Sequence, residues 1–489
     1  MMRVALGLLV AASLMSVSSV ARAGGMDLPD NGTEALGRGG AFTAKADDPT
    51  AIYYNVAGLA QQRGTRLLAN ANVSHSSLSF ERAGVYPGDP TTQPYAGKPF
   101  APVDSQGGIS TIPFLAITSD FGLENATFAL GSFAPPAVGG RVYPITTPDG
   151  RPGPARYDAI GGKPSVVLFH TAAAAIKLGD YVEVGLAAHV VQIEIGTRLV
   201  NYMTIGDNCK ATLENQACDA RGEATTKAWS GTGSLGAMFR PREDVSMGFN
   251  VKGPTKISAQ GVAELTAPKS AISIMPTIPP TRVALKTELP WVFRAGARKT
   301  FGDLRGRRNP QPTADLEVDA TYELWGQAMN PGPEIVLESV PTVTGPMRKT
   351  AVRGYRDTFS VRVGGSLTPE LPIPVTLRGG AYYDSSATDS QYTRLDTDTL
   401  DKVALTVGAG LRFEKWHVDL AYASVFDVSR NVDHGAITSS SAKDATVVNE
   451  GVYRGHTHVA SLGITLELDL IAGSVRLPHL ERGETLARR

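Results

Sequence analysis

The stretch Val403-Ala404-Leu405-Thr406-Val407-Gly408-Ala409-Gly410-Leu411-Arg412-Phe413 decides how this chain is read. Val403, Leu405, Val407, Ala409, Leu411 and Phe413 share one face of an extended strand. Thr406, Gly408, Gly410 and Arg412 share the other, because side chains alternate sides along β-structure. The pattern recurs twice more. Leu316, Val318, Ala320, Tyr322 and Leu324 alternate with Asp315, Glu317, Asp319, Thr321 and Glu323. Ala460, Leu462, Ile464, Leu466, Leu468 and Leu470 alternate with Ser461, Gly463, Thr465, Glu467 and Asp469. A soluble sandwich can bury such an apolar face against a second sheet. A membrane barrel turns it to lipid and keeps the polar face for its lumen.

The connections separate these two architectures. Strands are predicted near 65–80, 109–120, 125–135, 165–178, 181–197, 227–240, 244–258, 286–301, 313–327, 356–368, 373–384, 402–414, 416–428 and 456–470, fourteen in all. Long connections carry Pro87-Gly88-Asp89, Pro152-Gly153-Pro154, the cysteine pair, Pro276 to Pro280, Pro331-Gly332-Pro333, Ser385 to Asp401, and Asn431 to Gly455. They alternate with short ones such as Leu178-Gly179-Asp180, Pro241-Arg242-Glu243-Asp244 and Glu414-Lys415; the link around Arg305-Gly306-Arg307-Arg308 is a longer member of the short set. Strict long–short alternation belongs to outer-membrane barrels, with short periplasmic turns and long outer loops. Trp229, Trp325 and Tyr355 fall at loop-side strand ends, and Trp416 and Tyr181 at turn-side ends, the two heights of a lipid-interface girdle. The fold expected is all-β: a 14-stranded antiparallel transmembrane β-barrel with an N-terminal hatch inside the lumen.

Composition agrees. Gly 52 and Pro 32 are high for 489 residues, and Lys+Arg 47 against Asp+Glu 47 leaves no net charge, which excludes a dominant basic surface for nucleic acid. Arg3, the apolar run Val4 to Val20 and Ala21-Arg22-Ala23 read as a secretory signal with cleavage before Gly24, in preference to a transmembrane anchor. No later apolar run reaches the roughly 18 residues of a membrane helix. An exported chain that enters a membrane without helices must close its backbone hydrogen bonds in a barrel. The division expected is signal peptide 1–23, hatch 24–63, barrel 64–470 and a basic periplasmic tail 471–489 ending in Arg488-Arg489.

Cys209 and Cys218 lie in a polar loop and are expected to form a local disulfide in an oxidising compartment, with two free thiols the alternative. No histidine sits near them, which disfavours a metal site. On the eighth strand Trp291, Phe293, Ala295 and Ala297 are expected to face lipid, which turns Arg294 and Arg298 inward toward Glu317, Asp319 and Glu323 of the ninth. These charges are expected to pair across the strands and hold the hatch. A sharper alternative leaves one arginine to receive a carboxylate ligand. The eight histidines are scattered, and His456 and His458, although they share a strand face, come with no carboxylate or serine pattern. Neither catalysis nor a cofactor is expected.

The segment before the first strand has a different character. Gly37-Arg38-Gly39-Gly40 and Asp47-Asp48-Pro49 punctuate small and apolar residues. A phosphate loop would need a preceding strand and a following Lys-Ser/Thr, and neither is present. Glycines here suit close packing of a plug against a wall.

Gly37-Arg38-Gly39-Gly40-Ala41, Ala46-Asp47-Asp48-Pro49-Thr50-Ala51 and Asn55-Val56-Ala57-Gly58-Leu59 resemble the hatch of the FadL family of outer-membrane transporters for long-chain fatty acids and aromatic hydrocarbons. Val56 stands where that family has proline. Phe128 to Pro135, Ile176 to Leu186, Thr287 to Gly296, Tyr355 to Gly365 and Arg378 to Asp384 look like the same family, so the resemblance covers nearly all of the chain beyond residue 23. It implies a monomeric barrel in contact with outer-membrane lipid, a hydrophobic ligand, and a hatch carrying Gly37, Gly39, Gly40, Asp47, Asp48, Asn55, Ala57 and Gly58. It also implies ligand contact at the mature N-terminus, where Met26 and Leu28 are the candidates, and a gap in the wall at the third strand, here through Pro135-Pro136. Fatty acid, alkane and aromatic substrates are not distinguished by these residues. A general porin, lacking a plug, and a structural or adhesin barrel are the rival functions.

Overall fold

The computed structural model describes residues 31–107, 109–135, 141–157, 165–204, 209–210, 214–271, 279–302, 313–328, 330–338, 346–396, 400–440 and 445–468. Among these, no helix is long and apolar enough to cross a membrane. The wall consists of fourteen strands. They are β1 (Thr65–Arg82), β2 (Ile109–Ser119), β3 (Ala126–Phe133), β4 (Val166–Leu178), β5 (Val182–Tyr202), β6 (Asp219–Arg242), β7 (Val245–Lys252, continuing as Thr255–Thr266) and β8 (Thr281–Leu289, continuing as Val292–Phe301). The rest are β9 (Ala314–Glu323), β10 (Thr358–Leu367), β11 (Val375–Asp384), β12 (Lys402–Phe413), β13 (Trp416–Asp427) and β14 (Gly451–Leu468). Each pairs antiparallel with its neighbours in sequence. The ring closes where β14 meets β1, in register from Thr65↔Leu468 to Arg82↔Gly451. Closure leaves no unpaired edge, the condition for strands in hydrocarbon. The outer face carries exposed apolar side chains on strand after strand, including Leu186, Leu235, Val318, Leu405, Leu420 and Leu462.

Several details differ from the expectation. The predicted continuous strands 244–258 and 286–301 each break once, at Gly253-Pro254 and at Pro290, because proline donates no ladder hydrogen bond. The two breaks lie side by side, since Val245–Lys252 pairs with Val292–Lys299 and Thr255–Ala263 with Thr281–Leu289. Beyond them the sheet rises at the long-loop end and continues through Glu334–Leu337 and Met347–Thr350. β6 is much longer than predicted, as its first residues pair with an equally extended β5 on one side and with this extension on the other. Trp229, Trp416 and Tyr181 point outward as girdle residues should. Trp325 and Tyr355 do not: they are 4% and 5% exposed and stack on each other at 5.7 Å. β9 ends at Glu323, and the chain turns inward, where the Trp325 indole N–H donates to the Glu323 carboxylate at 2.5 Å.

Residues 31–63 sit within the ring as α1 (Thr33–Gly37), α2 (Ala51–Tyr54) and a 3-10 turn, Val56–Gln61. Nearly every residue from Asn31 to Ala60 is buried. α1 lies against β11 to β14 and β1, while the turn lies against β3 to β6. Wall glycines make this packing possible. Gly364 and Gly380, paired in register, press on the backbone of Arg38, and a Cβ at either would overlap the Arg38 carbonyl group. Gly39 and Gly40 take φ of 64° and 72°, the left-handed region where side-chain-bearing residues are strained.

Candidate functional site

The interior segment divides the lumen into two unlike sides. On the β8–β12 side the contacts are ionic and start from Arg38, a fully buried side chain. Its guanidinium pairs with Asp315 at 2.5 Å and Glu317 at 3.2 Å, and its Nε donates to the Ala41 carbonyl at 3.2 Å. The carboxylates of β9 then receive the segment's backbone. Asp319 accepts from the amides of Phe42 (2.9 Å) and Thr43 (2.8 Å), and Glu317 from those of Ala44 (2.6 Å) and Lys45 (3.2 Å). Four consecutive N–H groups outside any helix are thereby satisfied by two wall side chains, which buried donors require. Arg378 of β11 bridges Glu34 of α1 (3.3 Å) and Asp419 of β13 (2.6 Å), and Lys45 pairs with Glu34 (2.9 Å) and Asp47 (2.5 Å).

The remaining motif residues serve the segment's own shape. Asp48 accepts from the Thr50 amide at 2.7 Å at the start of α2. The Asn55 side chain donates to Thr43 O (2.9 Å) and to Ala237 O of β6 (3.1 Å), and it accepts from the Ala57 amide at 3.2 Å, which starts the turn. The Val56 amide donates to Asn250 of β7 at 3.4 Å, a bond that proline at this position could not make. Gly58 lies directly against the Ala46 carbonyl, where a side chain would not fit. Gly37 lies against Gly408 of β12.

On the β2–β5 side apolar contacts dominate, beside hydrogen bonds from Thr118 and Thr127 to Gln62. Phe114, Phe133 and Phe169, on successive strands, stack with centroids 5.1 and 5.6 Å apart, and Tyr53 of α2 meets Phe133 edge-on at 5.7 Å. β3 stops at Phe133, whereas β2 continues back to Ile109 and β4 to Val166. The third strand therefore ends before the prolines rather than running through them. Pro135 follows the strand and Pro136 lies outside the described residues. Ala134 still donates to Pro113 O at 3.3 Å and accepts from Asn31 Nδ2 at 3.0 Å; beyond it β2 pairs with no β3 residue among the described ones.

Between the two sides, above α2, a narrow cleft opens toward the long-loop end. Tyr53, Tyr54, Arg294, Glu323, Trp325 and Arg362 line it. Arg294 donates to Tyr53 O at 2.9 Å and lies 4.5 Å from the Tyr53 ring centroid, a cation–π contact. Arg298, two inward positions nearer the turns, pairs with Asp315 at 2.8 Å and does not line the cleft. Glu323 accepts from the Trp325 indole N–H. Met26 and Leu28 lie outside the described residues. Arg38, Tyr53 and the phenylalanine row carry the geometry but were not singled out in the sequence. The signal for Arg38 was a surplus of inward carboxylates on β9 over the two arginines of β8, which demands further partners, and Arg38 is the sole cation in its glycine-rich motif.

At the loop end, Cys209 and Cys218 form a disulfide between β5 and β6. Beside it Arg82 makes a bidentate pair with Glu214 (2.6 and 2.9 Å), and Arg156 bonds Asp219 (3.0 Å) and the Tyr157 hydroxyl (2.6 Å). Burial above all pushes the Tyr157 phenol up from its ordinary value, so it stays protonated and donates to Asp219 at 2.7 Å. Among the described residues no group of three or more His, Cys, Asp or Glu is placed to hold a metal ion.

A closed fourteen-stranded barrel with an apolar outer belt, with residues 31–63 packed inside its ring, defines a transmembrane β-barrel. Residues 14–468 match the sequence profile of the family described as outer membrane protein transport protein (OMPP1/FadL/TodX), and the chain belongs to that family. It is an outer-membrane transporter of the type that carries hydrophobic compounds. No curated protein matches the sequence. The fold is similar to that of a FadL homologue from Pseudomonas aeruginosa, with TM-score 0.70 and 15% identity over 91% of this chain and 100% of that one. It is also similar to the Ralstonia pickettii toluene transporter TbuX (0.62, 16% identity, 90% and 99% covered) and the P. putida toluene transporter TodX (0.65, 14%, 90% and 99%).

Proposed function

We propose that this chain takes up a hydrophobic molecule with an acidic end, a long-chain fatty acid before others, through the cleft above α2. The observation that carries this reading is Arg294. It holds a guanidinium at the cleft floor against two tyrosine rings, 4.5 and 5.9 Å from their centroids, beside the apolar row that leads to the end of β3. An alkane would gain nothing from that cation and an aromatic ring only a cation–π contact, whereas a carboxylate would gain a charge-assisted hydrogen bond. In this reading the long loops face outward and both termini the periplasm. Residues 24–63 are the hatch, Met26 and Leu28 touch ligand, and ligand leaves sideways beyond Phe133. No catalysis, cofactor or nucleic acid enters, and the monomer is sufficient.

Arg294→Ala tests the reading. It should weaken fatty-acid binding roughly 10- to 100-fold, the span of a charged hydrogen bond of about 1.5–3 kcal/mol, and leave binding of the methyl ester unchanged. Equal losses for acid and ester, with the variant still heat-modifiable on gels, would overturn it. Monoaromatic hydrocarbons form a second reading. The stacked Phe114, Phe133 and Phe169 favour it, and the similar TbuX and TodX are described as toluene transporters. Toluene binding insensitive to Arg294→Ala but lost in Phe133→Ala would select it. Deleting residues 24–40 separates both from a general porin: a plugged transporter should then leak small polar solutes and lose saturable uptake, whereas a porin should not change.

A further inference from the structure

We propose that the outward face of β13, β14 and β1, at the loop-side margin of the apolar belt, docks a phosphorylated glycolipid of the outer leaflet. This rests on the orientation given above, with the long loops outside. On β14 the outward residues run Leu466, Ile464, Leu462 and Ala460, then change to His458, His456 and Arg454. On β1 they run Leu67, Ala69, Ala71 and Val73, then change to His75, Ser77, Ser79 and Glu81. The changes are level, because Val73 pairs with Ala460, His75 with His458 and Ser77 with His456. On β13, Ser424 pairs with His458 and Phe426 with His456, so the cluster spans three strands at one height. That height is where hydrocarbon gives way to headgroups, and a side chain there meets lipid by position alone.

The cluster is ordered rather than a scatter of polar residues. The Phe426 and His456 rings stack at 4.6 Å and 14°, those of Tyr422 and His458 at 6.0 Å and 27°, and the two imidazoles are 4.1 Å apart. A Tyr422 hydroxyl–His458 Nδ1 bond (2.6 Å) and a Ser424 hydroxyl–His456 Nε2 bond (2.9 Å) fix the imidazoles. Arg454 stands one outward position higher, 3.6 Å from Glu81. Rings offered at a membrane margin suit a sugar, whose C–H faces are apolar and whose edges are hydroxyl-rich, and Arg454 adds a phosphate donor. Acyl chains of the same molecule would run down Leu420, Leu462 and Val73, all exposed. A glycerophospholipid has no sugar ring to place on the platform.

The test uses the full-length protein in nanodiscs, read by native mass spectrometry. The probes are an acylated bisphosphorylated glucosamine disaccharide and, separately, phosphatidylglycerol. Wild type should retain the glycolipid, and His456→Ala/His458→Ala should bind it about tenfold more weakly, a difference of about 1.4 kcal/mol. Phe426→Ala, which removes no polar group, should weaken it in the same direction. Equal glycolipid retention by wild type and both variants would overturn the proposal, as would equal affinity for phosphatidylglycerol. Nanodisc binding does not depend on orientation in the cell. Labelling of Asp433→Cys from outside intact cells does, so failure of the orientation is seen separately.

Discussion

Replacing Glu317 by alanine should loosen the interior segment without dissolving the barrel. The Glu317 carboxylate is fully buried and accepts from the Ala44 amide at 2.6 Å, the Lys45 amide at 3.2 Å and Arg38 at 3.2 Å. Its removal orphans two buried amides at roughly 1–3 kcal/mol each. The ionic loss is smaller, because Arg38 keeps Asp315 at 2.5 Å and a bond to Ser366. A net loss of about 3–4 kcal/mol would raise the detached population by a factor of a few hundred. Ejection is not expected, since Asp319 still holds Phe42 and Thr43, and Asn55 still holds the β6 backbone. Ion conductance in planar bilayers should therefore rise in Glu317→Ala, and protease should reach residues 38–48. Glu317→Gln keeps an acceptor for the amides but not the charge, so it should fall between. Wild-type conductance and protection in Glu317→Ala, with heat-modifiable mobility retained, would refute the argument that β9 carboxylates fasten the segment.

Three other outcomes follow from the same geometry. Gly364→Val should unseat the Arg38 backbone while sparing the outer wall, and it should raise conductance more than a valine at the looser Gly379. Cys209→Ser/Cys218→Ser should speed proteolysis of the β5–β6 loop and leave the barrel intact; the disulfide closes a short loop, a restraint of at most roughly 3 kcal/mol in the chain-entropy model. Asp401 supplies a pH dependence: burial opposes its ionisation, but the Ser386 amide, the Tyr383 hydroxyl and Arg430 outweigh this and hold its carboxyl below the ordinary value. A depressed folded-state pKa stabilises above the unfolded value of about 3.9 and is lost as pH falls through the folded one. Protease protection of loop 385–401 should thus hold at neutral pH and fall below about pH 4 in wild type, whereas Asp401→Asn should show the weaker protection at every pH.

The wall was legible because lipid imposes a rule on every residue of a strand: one side must be apolar, and the alternation at 403–413 or 316–324 records it directly. The rule stops where lipid stops. Above the membrane level, β7 carries polar residues outward, such as Lys256, Ser258 and Gln260, and its apolar face turns inward with Ile257 and Ala259, so the lipid-facing pattern inverts and the strand ends go unread. The same limit misplaced Trp325, since a tryptophan at a strand end fits a girdle until the chain beyond Glu323 turns inward. The interior resisted for another reason. Its glycines and acids make sense only in pairs far apart in sequence: Arg38 with Asp315, Gly364 with the Arg38 carbonyl, Asn55 with Ala237. Alternation nevertheless held half of that information. It turned Asp315, Glu317, Asp319 and Glu323 inward against only Arg294 and Arg298, and buried carboxylates need cations or amides. The missing partners had to come from a segment with no strand of its own, and Arg38 with the amides of Phe42 to Lys45 supplies them. Arg294 stands higher on β8, level with Thr321 of β9. It rests on tyrosine rings at the floor of the cleft, the position from which a ligand's own carboxylate could claim it.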